Sequence, residues 1–209
     1  MITVLVVIIS LISLIAFRYP RLQDKLALSP YRIHKDGEYY RMFTNAFIHA
    51  DYIHLGVNMI VLWSFGNSVE AIFKNLESYE YIRFPYLHLS ILIILSILGS
   101  ILSTIRKFRN NPEYSAVGAS GMVSAIVFTH IFFQPMEKIY FYFAIPIPGI
   151  VFGILYLIYS SYMGRRKRDN INHDAHLWGA IIGFLYPLLM NPKLIKHFLE
   201  SLGIQLFTG

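Results

Sequence analysis

The sequence predicts an all-α polytopic membrane protein, a bundle of six transmembrane helices, and three observations point to it. The 209 residues are 56% hydrophobic and only 14% charged, against roughly 45–50% and 25% in a soluble domain. Apolar runs of membrane-crossing length alternate with segments in which the charges are concentrated. The polar side chains inside those runs include His, Asn and Ser at helical spacing. With 16% aromatic residues and a mean hydropathy of +0.51, the chain has too much apolar surface for disorder or for one small aqueous core. The absence of Cys excludes disulfide scaffolds, thiolate metal sites and a cysteine nucleophile. The net charge of +6 lies between apolar spans and not along an aromatic groove, so anionic lipid headgroups are the expected partner and nucleic acid is not.

The first span, 1–17, carries no charge and is followed by Arg18, Tyr19, Pro20 and Arg21 where a signal peptide would have a small-residue cleavage site; it reads as a retained anchor. A long polar and aromatic connection follows, with a short interfacial helix expected over 38–49. Five further spans are expected at 52–73, 85–105, 114–133, 139–163 and 175–190. No internal repeat appears, so 1–190 form one membrane domain. In the tail, 191–209, Leu194, Ile195, Phe198, Leu199 and Leu202 fall on one helical face opposite Lys196 and Glu200, the pattern of a helix lying on the membrane. Arg and Lys are concentrated in the first, third and fifth connections, which by the positive-inside rule alone would put both termini outside the cytoplasm.

Three polar clusters interrupt the spans. His54 and Asn58, at i and i+4, share a helix face, with His49 just ahead of them. They serve either as glue between helices or as donors to a developing anion. Gly118, Ala119, Ser120 and Gly121 open the fourth span. This is either a small-residue packing stripe continued by Ser124 and Ala125, or a hydroxyl at a helix start, where free N–H groups favour negative charge. Ala175, His176, Gly179 and Gly183 put an imidazole on the face of the sixth span that packs closest to a neighbour. A serine needs a base to become nucleophilic, and His176 is the candidate for Ser120, the alternative being a structural hydrogen bond. No carboxylate lies near Ser120 and Asp174 points elsewhere on its helix, so a dyad is more economical than a triad. His173 and His176 have metal-ligand spacing but lack a third ligand on the same face, so neither metal nor cofactor is expected. His130, about 15 Å along the helix from Ser120, reads as a far-end residue, and His34, His88 and His197 as loop or tail residues.

Together these clusters resemble the rhomboid intramembrane serine proteases. The resemblance is carried by Tyr40, Arg41, Phe43, Thr44, His49, His54, Asn58, Gly66, Glu70, Gly118, Ser120, Gly121, Ala175, His176, Gly179 and Gly183, and covers 1–190. It implies a serine endopeptidase that cleaves transmembrane segments of membrane proteins near the membrane surface. Ser120 would be the nucleophile and His176 the general base; His54, Asn58 and the Ser120 N–H would form the oxyanion hole. Gly118, Gly121, Gly179, Gly183, His49, Arg41 and Glu70 would support the site. The resemblance further implies termini in the cytoplasm and a site facing outside, which takes precedence over the loop charges, and a bacterial inner membrane as the setting. There are departures: Tyr40 stands for the usual Trp, Asn45 for a frequent His, and Ser124 for the aromatic residue that often lies under the catalytic imidazole. Some other residue must then orient His176. The fifth connection, 164–174, is unusually basic for a segment that caps a site. The rival class is a catalytically silent relative that binds transmembrane helices; it would be free to lose Ser120, His176, His54 or Asn58, yet all are present. A transporter would need an ionisable path through several spans, which is missing.

Overall fold

A computed structural model describes residues 1–141, 144–166 and 171–204. Helix α1 (Ile2–Arg18) turns Ile2, Ile9, Ser13 and Ala16 inward along one face. Other apolar residues of the helix, among them Val4, Val7, Leu11 and Leu14, are exposed. The same holds around the molecule for Ile53, Ile60, Leu102, Ile158 and Leu189, an apolar exterior that suits hydrocarbon and not water.

The connection after α1 is more structured than expected. Helices α2 (Pro20–Leu26) and α3 (Pro30–Asp36) each begin with proline, whose missing N–H costs nothing in a first turn. Gly37 ends α3 in the left-handed conformation, φ 71°. The interfacial helix expected over 38–49 shortens to α4 (Arg41–Thr44) plus a 3₁₀ turn, Asn45–Phe47.

Helix α5 (Tyr52–Ser78) is capped by Asp51, whose carboxylate accepts the His54 N–H at 2.7 Å, and runs beyond the expected end at 73. Helix α6 (Pro85–Phe108) follows. These two are long and apolar enough to cross a membrane; α1 and the next helix are shorter apolar helices. That next helix, α7 (Ser120–Phe133), starts at Ser120 and not at 114, because the backbone before it is used otherwise: Ala116 bridges to Leu28, and Gly118 takes φ 124°. Its 14 residues, all buried from Gly121 to Phe133, span about 21 Å.

The apolar run expected as a span over 139–163 is divided. Strands β1 (Lys138–Phe141) and β2 (Ile145–Pro148) pair antiparallel, Ile139 opposite Ile147, and only then does α8 (Gly149–Arg166) begin. Pro146 and Pro148 have no N–H for a helical ladder, so a hairpin edge is what this stretch accommodates. Helix α9 (His173–Met190) follows, capped by Asn172, whose Oδ1 also accepts from Thr104 at 3.0 Å. In the tail, α10 (Leu194–Ser201) buries Leu194 and stacks Phe198 on Phe132 at 5.2 Å, so its apolar side rests on the bundle. Lys167 and Arg168 of the basic connection, and the last five residues of the tail, lie outside the described residues.

Helix α7 forms the centre, and glycine decides how closely α9 approaches it. A Cβ at Gly179 would collide with the Gly121 carbonyl, and one at Gly183 with the Ala125 carbonyl. The Thr129 hydroxyl reaches the Gly183 carbonyl at 2.8 Å across the same seam. At Gly66 the Ile2 side chain of α1 also comes close to α5, where a Cβ would stand 2.8 Å from its Cγ2.

Candidate active site

The first turns of α5, α7 and α9 meet at one end of the bundle. Glu70, by contrast, lies at the other end of α5, accepting the Ile2 N–H at 3.0 Å and pairing with Lys74 at 3.2 Å, remote from the convergence.

Two segments fix where α7 begins. Leu28 and Ala116 exchange both N–H···O bonds at 2.9 and 3.1 Å, and the Gly118 N–H donates to the Asn45 carbonyl at 3.0 Å. Asn45 holds that carbonyl in place by donating from its own amide to Arg41 and Met42 at 2.7 and 2.9 Å. Arg41, only 2% exposed, donates to the Asp24 and Ala27 carbonyls at 2.5 and 2.9 Å and to the Glu38 carboxylate. The guanidinium holds the Glu38 carboxyl below its ordinary range. Arg41 thus locks the connection that in turn holds the Ser120 loop, and it does so at a distance from the hydroxyl.

His49 is the second anchor. Its Nε2 accepts the Ala119 N–H at 3.4 Å, so the proton of the neutral ring sits on Nδ1, which donates to Ser13 Oγ at 2.9 Å; that hydroxyl donates onward to the Phe47 carbonyl at 3.0 Å. Burial first, then the neighbouring His54 ring, pushes His49 down to about 3. It is a fully buried neutral post between α1 and the residue before Ser120.

His54 lies edge-on to His49, ring centroids 5.0 Å apart, and directly over Gly118. A Cβ there would stand 2.7 Å from His54 Cε1 and 3.0 Å from Nε2, so only glycine admits the ring. Asn58 is buried one turn on; one of its two amide protons is given to the His54 carbonyl at 2.8 Å. A cavity of about 20 Å³, room for one water, touches Asn45, Ser100, Gly118, Ser120 and Asn172.

On the α9 side, the Ala175 carbonyl would lie 3.4 Å from a Cβ at Gly121, so His176 enters the bundle beside the Ser120 turn. No hydrogen bond joins the Ser120 hydroxyl to His176 among the described residues. Asp174 pairs with Lys107 at 2.6 Å, across to α6 and away from the imidazole. The imidazole instead meets a ring from α8: Tyr156 stacks on it with centroids 6.3 Å apart and planes 17° from parallel. The Tyr156 hydroxyl lies 2.6 Å from Ser124 Oγ. His173 is edge-on to His176 at 5.8 Å, and Tyr159 edge-on to His173 at 5.6 Å. The sequence alone leaves the ring beside His176 unassigned; the signal for Tyr156 is the matched i, i+3 spacing of Tyr156 and Tyr159 with His173 and His176.

The model of the rhomboid domain matches residues 36–193, three quarters of the chain and all the residues just described except Ile2, Ser13, Asp24, Ala27 and Leu28. The chain belongs to the rhomboid family. Among curated rhomboids, it is 29% identical over 162 residues to the mitochondrial RHOMBOID-like protein 12 of Arabidopsis thaliana, 71% of this chain and 45% of that one. It is 28% identical over 146 residues to the mitochondrial Rhomboid protein 1 of Saccharomyces cerevisiae, 68% of this chain and 39% of that one. It is 25% identical over 174 residues to Rhomboid-related protein 1 of Caenorhabditis elegans, 79% of this chain and 44% of that one. The rhomboid chain therefore spans less than half the length of these relatives. They come from a plant, a yeast and a nematode, and two are mitochondrial, which does not fit the bacterial inner membrane expected from the sequence.

Proposed function

We propose that this rhomboid is an intramembrane serine endopeptidase acting on transmembrane segments of membrane proteins, with α1, α5, α6, α7, α8 and α9 as its six crossings. The observation that carries this reading is the glycine-tight seam of α7 and α9, which brings the Ser120 turn beside His176 at the end of the bundle where His54 and Asn58 also lie. At about 21 Å, α7 is shorter than a hydrocarbon core of roughly 30 Å. Its first residue then sits below the membrane surface, in a polar pocket that admits water. The irregular backbone before α7 is tolerated there because the N–H groups of Ala116, Gly118 and Ala119 are taken up by Leu28, Asn45 and His49.

In this reading Ser120 Oγ attacks the scissile carbonyl carbon while His176 takes the hydroxyl proton. The oxyanion is received by the Ser120 N–H, His54 and the remaining amide proton of Asn58. Collapse breaks the C–N bond, and His176 gives its proton to the departing amine. Water then attacks the acyl-enzyme ester with His176 again as base, and the proton returns to Ser120 Oγ. No cofactor is required. The site opens on the side away from Met1 and α10, so if these face the cytoplasm, cleavage occurs at the opposite surface. The test is labelling of the reconstituted protein by a fluorophosphonate, read by intact mass. A single adduct that disappears in both Ser120→Ala and His176→Ala supports the reading. An unlabelled parent beside a labelled control serine protease would point to a silent helix-binding relative.

A further inference from the structure

We propose that the β1–β2 hairpin is a lipid-contacting element. It lies in the leaflet at the end of the bundle opposite Ser120, with its β2 edge toward the acyl chains and its Lys138 side toward the headgroups. This goes beyond the protease reading and rests only on the crossing of the membrane by α7 and α8.

The phase of the ladder decides what each edge presents. The Gly149 N–H donates to the Glu137 carbonyl at 2.8 Å, in register with Ile139 opposite Ile147 and Phe141 opposite Ile145. These are therefore the pairs that exchange hydrogen bonds, and the intervening positions on β2, 146 and 148, face away from β1. Both are proline. The outer edge of β2 thus has no N–H to leave unpaired in hydrocarbon, only carbonyls, the group more often found under-satisfied. The outer edge of β1 differs: Lys138 and Tyr140 turn their N–H groups away from β2 and call for water or headgroup oxygens.

The side chains sort the same way. Ile139, 8% exposed, joins the apolar cluster of Val127, Phe128, Ile131 and Ala180, so one face of the hairpin rests on the bundle. The opposite face exposes Lys138, Tyr140 and Pro146, a cation and a phenol beside an apolar edge, the mixture that suits a headgroup boundary. Ile145, 56% exposed, extends past the cover of the bundle. From Ile139 to Gly164 no residue is charged, and the exposed Val151, Ile154 and Ile158 of α8 carry the apolar surface on from β2. Prolines also guard sheet edges in water, where charged side chains commonly share that task. Beyond Lys138 this hairpin has none.

The chain has no Cys, so a nitroxide on a single introduced cysteine reports one position. In liposomes of phosphatidylcholine and phosphatidylglycerol, its collisions with oxygen, which enters hydrocarbon, are compared with its collisions with a water-soluble nickel chelate. Ile145→Cys and Tyr140→Cys are read against Ile158→Cys on α8 and Glu200→Cys on α10. Two hairpin positions are used so that a label that disturbs one of them, seen as a lowered unfolding temperature, leaves the other to decide. The Ile145 label should lie ~5–10 Å below the phosphates, the depth at which interfacial apolar faces settle, with Tyr140 shallower and Glu200 in water. Pro146→Ala returns an N–H to the β2 edge and should draw the Ile145 label toward the phosphates. Chelate collisions at the hairpin as frequent as at Glu200 would place it in water, and shielding from both reagents would place it against protein; either result overturns the proposal. An Ile145 label left in place by Pro146→Ala would overturn the part assigned to the proline edge. A water-exposed Ile158 label would instead overturn the crossing by α8, and the proposal with it.

Discussion

At its C-terminal end α7 holds His130 between Ser68, 3.0 Å from Nδ1, and Glu137, 3.0 Å from Nε2, with the Phe65 ring edge-on at 5.0 Å. At its N-terminal end it presents Ser120, whose hydroxyl makes no hydrogen bond among the described residues, beneath a ring of donors and histidines. The residue types are alike and their states are opposite. Both nitrogens of His130 are occupied, and it ties α5, α7 and the start of the hairpin together; a polar group at membrane depth that has found its partners is structural. The Ser120 end spends its hydrogen bonds on the surroundings of the hydroxyl: His49 on the Ala119 N–H, Asn45 on the Gly118 N–H. A satisfied supporting shell around a hydroxyl that is itself unengaged is what sets this end of α7 apart from a strut.

That contrast can be broken from either end. The largest effect is expected at the seam: Gly179→Ala drives a methyl into the Gly121 carbonyl and should cost about 3 kcal/mol, the upper end for overpacking, with cleavage of a reporter transmembrane segment falling to background. Thermal unfolding in detergent together with that cleavage assay checks it. Next, Asn58→Ala should lower kcat by about 10²-fold while leaving the unfolding temperature nearly unchanged; unaltered turnover would remove Asn58 from the oxyanion site.

A third effect is read by pH. His49 is held near 3 in the fold and is near 6.5 when unfolded, so the unfolded chain binds the proton first. The stability it contributes is complete above about 6.5 and is lost as pH falls toward 3. Unfolding temperatures measured from pH 7.5 to 4 should decline, and His49→Gln, less stable at pH 7.5, should decline less steeply. The smallest effect is expected at the far end of α7. His130→Gln should cost about 1 kcal/mol and leave kcat within 2-fold, roughly; a large drop in kcat would erase the distinction between the two ends.

Much of this molecule is legible in the sequence because membrane helices report themselves through length and composition. The starts of α5, α6 and α9 fall within about two residues of the expected positions, since Asp51, Pro85 and Asn172 punctuate them chemically. The errors have equally local causes. The run from Lys138 onward is apolar enough to pass for a span, but Pro146 and Pro148 turn it into a hairpin, and they were visible. Hydropathy starts α7 at 114, too early, because it does not register Gly118, which turns at φ 124°, or the bridge from Ala116 to Leu28.

By itself the sequence determined an all-α membrane protein and the chemical types at its centre: Ser120 behind small residues, His176 before Gly179 and Gly183, and His54 with Asn58 on one face. These are encoded within single helices, where a period of 3.6 residues makes neighbours predictable. Only the tertiary structure decided which groups meet across helices. Tyr156 lies under His176 and reaches Ser124, His49 joins Ser13 to Ala119, and Asp174 turns to Lys107. Each of these pairs lies on different elements, brought together by the depth to which Gly121, Gly179 and Gly183 let the helices approach and by the rotation of α8 about its own axis. Periodicity within one helix carries no information about either.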